Sequence, residues 1–173
     1  METYEDEIEM RPCWRYLTFA PWIYLVPQYK PESILMLGYS RGSVAGLVRL
    51  LYGDVPITAV DINPIKDNPY NITFIQADAE EFVKTCGHFD TVIVDTFYQI
   101  KRNPYPCKFV TDPVFIANLE RIANYIIVNT LKDLDMKNYS HLRRMGMNSP
   151  SGNADKIYYY EVNDIPNLHP FKK

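Results

Sequence analysis

From residue 34 onward the chain repeats one unit: a short unbroken apolar run, a turn carrying glycine or an acid, then a helical stretch. Ile34–Leu37 is such a run and ends at Gly38. Apolar residues without polar alternation mark a parallel strand buried on both faces. Ser43–Leu51 is apolar at nearly every position, which suits a helix packed on a sheet, and Gly53-Asp54 closes it. Pro56–Asp61 and Ile72–Gln76 read as the second and third strands, with Ala79–Cys86 as the helix after them. Thr91–Asp95 is a fourth strand, and Asp112–Ile122 a helix capped by Asp112 with Pro113 in its first turn. Tyr125–Asn129 is a fifth strand, Leu131–Met145 has helical character, and Ile157–Val162 is a last strand whose three tyrosines suit a sheet edge. Between strands two and three, Asn63–Asn71 holds two prolines and offers at most one helical turn.

Strands separated by helices and short loops predict an α/β fold around a mostly parallel sheet with right-handed crossovers. The 173 residues are expected to form one such domain over residues 34–173, preceded by an acidic segment and docking arm over residues 1–33. Five acids and no base fall within residues 1–10, so the net charge of −3 leaves the remainder near +2. That is no field for a phosphate backbone, and nucleic acid is disfavoured as a partner. The apolar segment Tyr16–Val26 is interrupted by Pro21, too short for a membrane span. Cys13, Cys86 and Cys107 lie far apart without metal-ligand spacing, which fits free thiols in a reducing cytoplasm and no metal site. An oligomer is compatible with all of this.

Three features stand at the C-terminal ends of successive strands, where open α/β sheets bind ligands. Gly38-Tyr39-Ser40-Arg41-Gly42 joins strand one to its helix, and glycines there allow a sharp turn and close approach beside the helix N-terminus. Asp61, 23 residues after Gly38, is placed to accept both hydroxyls of a ribose. Asp78, in Gln76-Ala77-Asp78-Ala79, can accept from an adenine amino group, with Ala79 leaving room for the ring.

With these residues in hand, the chain resembles S-adenosylmethionine (SAM)-dependent methyltransferases of class I, and within them the spermidine synthase-like branch. The resemblance runs from about Tyr16 to Asn129. It rests on the 34–42 segment, Ala59-Val60-Asp61-Ile62-Asn63-Pro64, Gln76–Phe82, Phe89–Phe97 and Phe109–Phe115. It implies a three-layer Rossmann-like methyltransferase fold with a shortened C-terminal part. It also implies a pocket for SAM or decarboxylated SAM drawing on Gly38, Tyr39, Ser40, Arg41, Gly42, Asp61, Ile62, Asp78, Ala79 and Asp95. Asp95, at the end of strand four, faces the reacting group in such families and is the candidate catalytic residue; Tyr16 matches an upstream pocket aromatic. The acceptor is expected to be a small molecule.

The departures are specific. Spermidine synthases carry an acid where this chain has Arg41, and a second acid three residues after the strand-four Asp, where this chain has Tyr98. Those acids handle the cationic aminopropyl group and the polyamine, so their loss argues against ordinary polyamine synthesis. It favours a methyltransferase-like transferase. Two alternatives stay open: a non-catalytic nucleoside-binding or regulatory protein of the same fold, and an α/β-hydrolase. The second arises because Gly38-x-Ser40-x-Gly42 also spells a nucleophile elbow, with Asp95 and His169 in the right chain order.

Overall fold

The computed structural model describes residues 30–40, 42–100, 103–130, 137–139, 143–148 and 154–162. The expected N-terminal arm up to residue 29, with Tyr16, lies outside them, as do Arg41 and His169.

The centre of the fold is strand β1 (Ile34–Leu37), buried at all four positions. It pairs in parallel with β2 (Ile57–Asp61) on one side and with β4 (Phe89–Val94) on the other. β3 (Thr73–Gln76) extends the sheet beyond β2, and β7 (Ala123–Asn129) extends it beyond β4. Between β4 and β7 the chain makes a separate two-stranded hairpin, β5 (Phe97–Ile100) and β6 (Asn103–Pro106). Past β7 two antiparallel strands follow, β9 (Ala154–Glu161) against β7 and β8 (Arg143–Asn148) against β9. The full order is β3-β2-β1-β4-β7-β9-β8, seven strands of which the first five are parallel.

The period of two sends alternate residues of each strand to opposite faces. Ile34, Met36, Ile57, Ala59, Ile93 and Ile127 meet helix α1 (Ser43–Tyr52) through Val44, Ala45, Leu47 and Val48. Leu35, Leu37, Val60, Val92, Val94 and Ile126 meet the other two helices, α2 (Ala79–Thr85) and α3 (Pro113–Ile122). Each Val, Leu or Ile buried this way contributes roughly 1.5–3 kcal/mol, so both layers are held mainly by apolar burial. Asp112 caps α3 by accepting from the Val114 and Phe115 N–H groups at 2.8 and 3.3 Å, as the sequence predicts.

The thin connection between β2 and β3 forms no helix, and Arg49 of α1 secures it instead. Its Nε donates to the Tyr70 carbonyl at 2.7 Å and its Nη2 to the Asn71 carbonyl at 3.0 Å, while Nη1 donates to the Gly53 and Val55 carbonyls. Gly46 leaves the room: a Cβ there would lie 2.8 Å from the Tyr70 ring.

Two expectations are corrected. Residues 143–145 belong to strand β8 and not to a helix, and residues 137–139 form a turn. The tyrosine strand is no edge: β9 is bonded on both sides, by β7 and β8. A run such as Arg-Arg-Met-Gly-Met-Asn, with two methionines around a glycine and no β-branched residue, carries only a weak strand pattern, and its pairing with β9 decides it.

Candidate active site

Because β1 to β4 are parallel and in register, their C-terminal tips lie side by side at one end of the sheet. Gly38, Asp61 and Asp95 follow directly from, or end, these strands, and Asp78 lies two residues past the end of β3. The four stations expected from the sequence therefore lie at one end of the sheet.

The loop after β1 is shaped by positive φ values at Gly38 (89°), Ser40 (50°) and Gly42 (76°). Gly38 is required by the protein's own packing: a Cβ would sit 2.8 Å from the Asp95 carbonyl carbon, in rigid backbone. Tyr39 turns its ring inward, 5% exposed, and meets Phe74 edge-on with centroids 6.0 Å apart. Its ring occupies the space beneath Gly42, so only its backbone faces the tip.

Asp61 organises this loop. Its Oδ2 accepts the backbone N–H groups of Tyr39 at 2.9 Å and Ser40 at 3.1 Å. Its Oδ1 accepts the Asn63 N–H at 2.9 Å and the Asn63 side-chain amide at 3.4 Å. A carboxylate offers about four acceptor directions, so this one is fully engaged, with the Asn63 side chain its weakest donor. Ile62 beside it is 64% exposed, an apolar face at the strand tip. Gln76 steadies that segment by donating from Nε2 to the Ile62 carbonyl at 3.1 Å.

Asp78 is the N-cap of α2: its Oδ1 accepts from the Glu80 and Glu81 N–H groups at 2.8 and 3.2 Å. Among the described residues, no hydrogen bond reaches its Oδ2. Asp78 thus serves the helix through one oxygen, and its Oδ2 takes no part in the cap. Ala79 behind it is buried.

Asp95 is half-buried, its N–H donating to the Leu37 carbonyl at 2.8 Å and its Oδ1 accepting from the Asn129 side chain at 3.0 Å. Asn129, 7% exposed at the end of β7, was not legible as part of the site. Only the β4–β7 pairing brings it beside Asp95.

The β5–β6 hairpin was also missed, and it is rooted at this point. The Cys107 N–H closes it by donating to the Thr96 carbonyl at 3.0 Å. Burial pushes the Cys107 thiol above its ordinary range, opposed by the neighbouring Thr96 hydroxyl and reinforced by the charges of Asp78 and Asp61.

Ser40 is exposed, but the described histidine, His88, precedes β4 and so sits at the opposite end of the sheet. Among the described residues no serine–histidine pair forms, and no group of His, Cys, Asp or Glu could hold a metal ion. None of the described helices is long and apolar enough to cross a membrane.

A scan against protein-family models finds no match, and a search of curated protein sequences finds none. Solved structures do match. Human methyltransferase-like protein 13, in complex with S-adenosylhomocysteine (SAH), aligns over 94% of this chain and 85% of its own, with TM-score 0.63 and 16% identity. A spermidine synthase in complex with the transition-state analogue AdoDATO aligns over 88% of this chain and 60% of its own, with TM-score 0.59 and 13% identity. A probable spermidine synthase from Corynebacterium glutamicum aligns over 87% and 64%, with TM-score 0.62 and 14% identity. The chain thus spans under two thirds of these two synthases.

Proposed function

The chain has the Rossmann-like fold shared by class I SAM-dependent methyltransferases and spermidine synthases, and from that premise we propose that it binds SAM across the β1–β4 tips and acts as a methyltransferase-like transferase. The observation that carries this reading is the set of groups at the tips: a positive-φ loop, one acid ending β2, a second capping α2 just past β3, and an exposed apolar side chain after the first.

The residues fit such a group. Asp61 would meet a ribose hydroxyl once the 3.4 Å Asn63 side-chain contact gives way. Asp78 would take the adenine amino group on the oxygen that does not cap α2. Ile62 would cover one face of the ring, and the loop of Gly38, Tyr39, Ser40, Arg41 and Gly42 would run alongside the remainder. SAM supplies an electrophilic methyl carbon on a sulfonium, for which no protein nucleophile is needed. Positioning the acceptor does most of the work. Asp95, held by Asn129, would receive the acceptor's proton.

Mass spectrometry of the natively purified protein tests the proposal. Co-purifying SAM or SAH, displaced by added SAH, is the expected result. Protein that carries neither and takes up neither at saturating concentration would refute it.

A further inference from the structure

The hairpin that follows Asp95 is the part of this end of the molecule that the parallel sheet does not require. Phe97 begins it two residues after Asp95, and the Thr96–Cys107 hydrogen bond returns the chain to the same place. Tyr98 and Tyr105 are directly opposed across the pair, their rings stacked at 5.8 Å with planes 29° apart. Alternation puts Ile100 on the same face as these two rings. That face is wet: Tyr98 is 38% exposed and Ile100 48%. The opposite face is the dry one, with Phe97 half-buried and Pro106 buried. The ten residues 97–106 contain no acid, and Lys101 and Arg102 are their only charges.

A polyamine requires carboxylates, and this segment offers none. Stacked aromatic rings with an aliphatic neighbour attract a flat apolar ring. Resting on the cofactor reading above, we propose that the Tyr98–Tyr105 face is the acceptor subsite and that the acceptor is a planar aromatic small molecule, not a polycation. Tyr98 is its specificity-determining residue, and Asp95 lies at the hairpin root, three residues before it.

The full chain, saturated with SAH, is titrated with 1-naphthol and with putrescine by ligand-observed NMR, and SAH affinity is measured on the same samples by calorimetry. 1-Naphthol is expected to bind and putrescine not. Tyr98→Ala should weaken naphthol about three- to tenfold with SAH affinity unchanged, and Tyr98→Phe should retain it. Leu50→Ala, an exposed apolar position on α1, controls for non-specific adsorption and should change nothing. Putrescine binding in preference to naphthol, or naphthol binding indifferent to Tyr98→Ala, overturns the proposal. If SAH does not bind while naphthol still depends on Tyr98, the cofactor reading falls and the aromatic subsite stands.

Discussion

At the β1–β2 tip, N–H groups of Tyr39, Ser40 and Asn63 converge on the Asp61 carboxylate, and Gly38 presses against the Asp95 carbonyl. At the β4 tip a few residues away, the chain leaves the sheet as a hairpin whose exposed face is two stacked tyrosines and an isoleucine. The first region is fixed by directional hydrogen bonds and by backbone contacts that admit no substitute. The second is held at its root and open along its face. A site that must hold one invariant ligand and admit a second, variable one is served by this division. The hydrogen-bonded tip is preorganised, and the hairpin can change without disturbing the core.

The sharpest way to break the comparison is a pair of substitutions. Gly38→Ala forces a side chain into backbone at φ 89°, and should cost about 3 kcal/mol, lowering the melting temperature by roughly 6–12 °C. Tyr98→Ala, which removes only a cross-strand pair on an open face, should cost about 1 kcal/mol or less. Thermal denaturation reads both; similar shifts for the two would erase the distinction.

Asp61→Asn retains the shape but removes the charge and turns an acceptor into a donor among N–H groups. Because Asp61 is half-exposed, the low end of the range for charged hydrogen bonds applies, about 1.5 kcal/mol of stability. Urea denaturation would show it, and a midpoint equal to wild type would mean the loop does not depend on this carboxylate.

Asn63→Ala sharpens the account in the other direction. It removes the 3.4 Å contact to Oδ1 and leaves the backbone donor in place. SAH should then bind about two- to threefold more tightly, about 0.5 kcal/mol, in competition titrations. Weaker binding would show that the amide assists the ligand instead of standing in its way.

The smallest effect is chemical. Burial raises the thiol pKa of both Cys86 and Cys107. The thiolate is the reactive form, so alkylation by iodoacetamide should stay slow at neutral pH and accelerate only above the ordinary thiol range. SAH should protect Cys107, within reach of Asp78 and Asp61, and leave Cys86 at the end of α2 unaffected. Peptide mapping separates the two; equal protection would place the ligand elsewhere.

The hydrogen-bonded region was also the readable one. Apolar runs ending in Gly38, Asp61 and Asp95 announce buried strands and their tips together, because residue type and position coincide there. What the sequence concealed depends on pairing. Nothing in the sequence shows that the Asp61 carboxylate also accepts the Tyr39 and Ser40 N–H groups, which the loop's left-handed backbone turns onto it. Asn129 enters only through the β4–β7 register. The hairpin was hidden because Pro104 and Pro106 remove the donors that a strand normally supplies, a pattern tolerated only at an edge. β8 was hidden because Met145 and Met147 are its only apolar side chains and Gly146 between them weakens a strand.

The central claim, that the β1–β4 tips form a SAM pocket with Asp61 at its centre, is tested most directly by calorimetric titration of wild type and Asp61→Ala with SAH. The account predicts micromolar-range affinity for the wild type and a loss of about 1.5–3 kcal/mol in the variant, as charged hydrogen bonds to the ribose disappear. Absence of heat with both SAH and SAM, at protein concentrations well above micromolar, would contradict it.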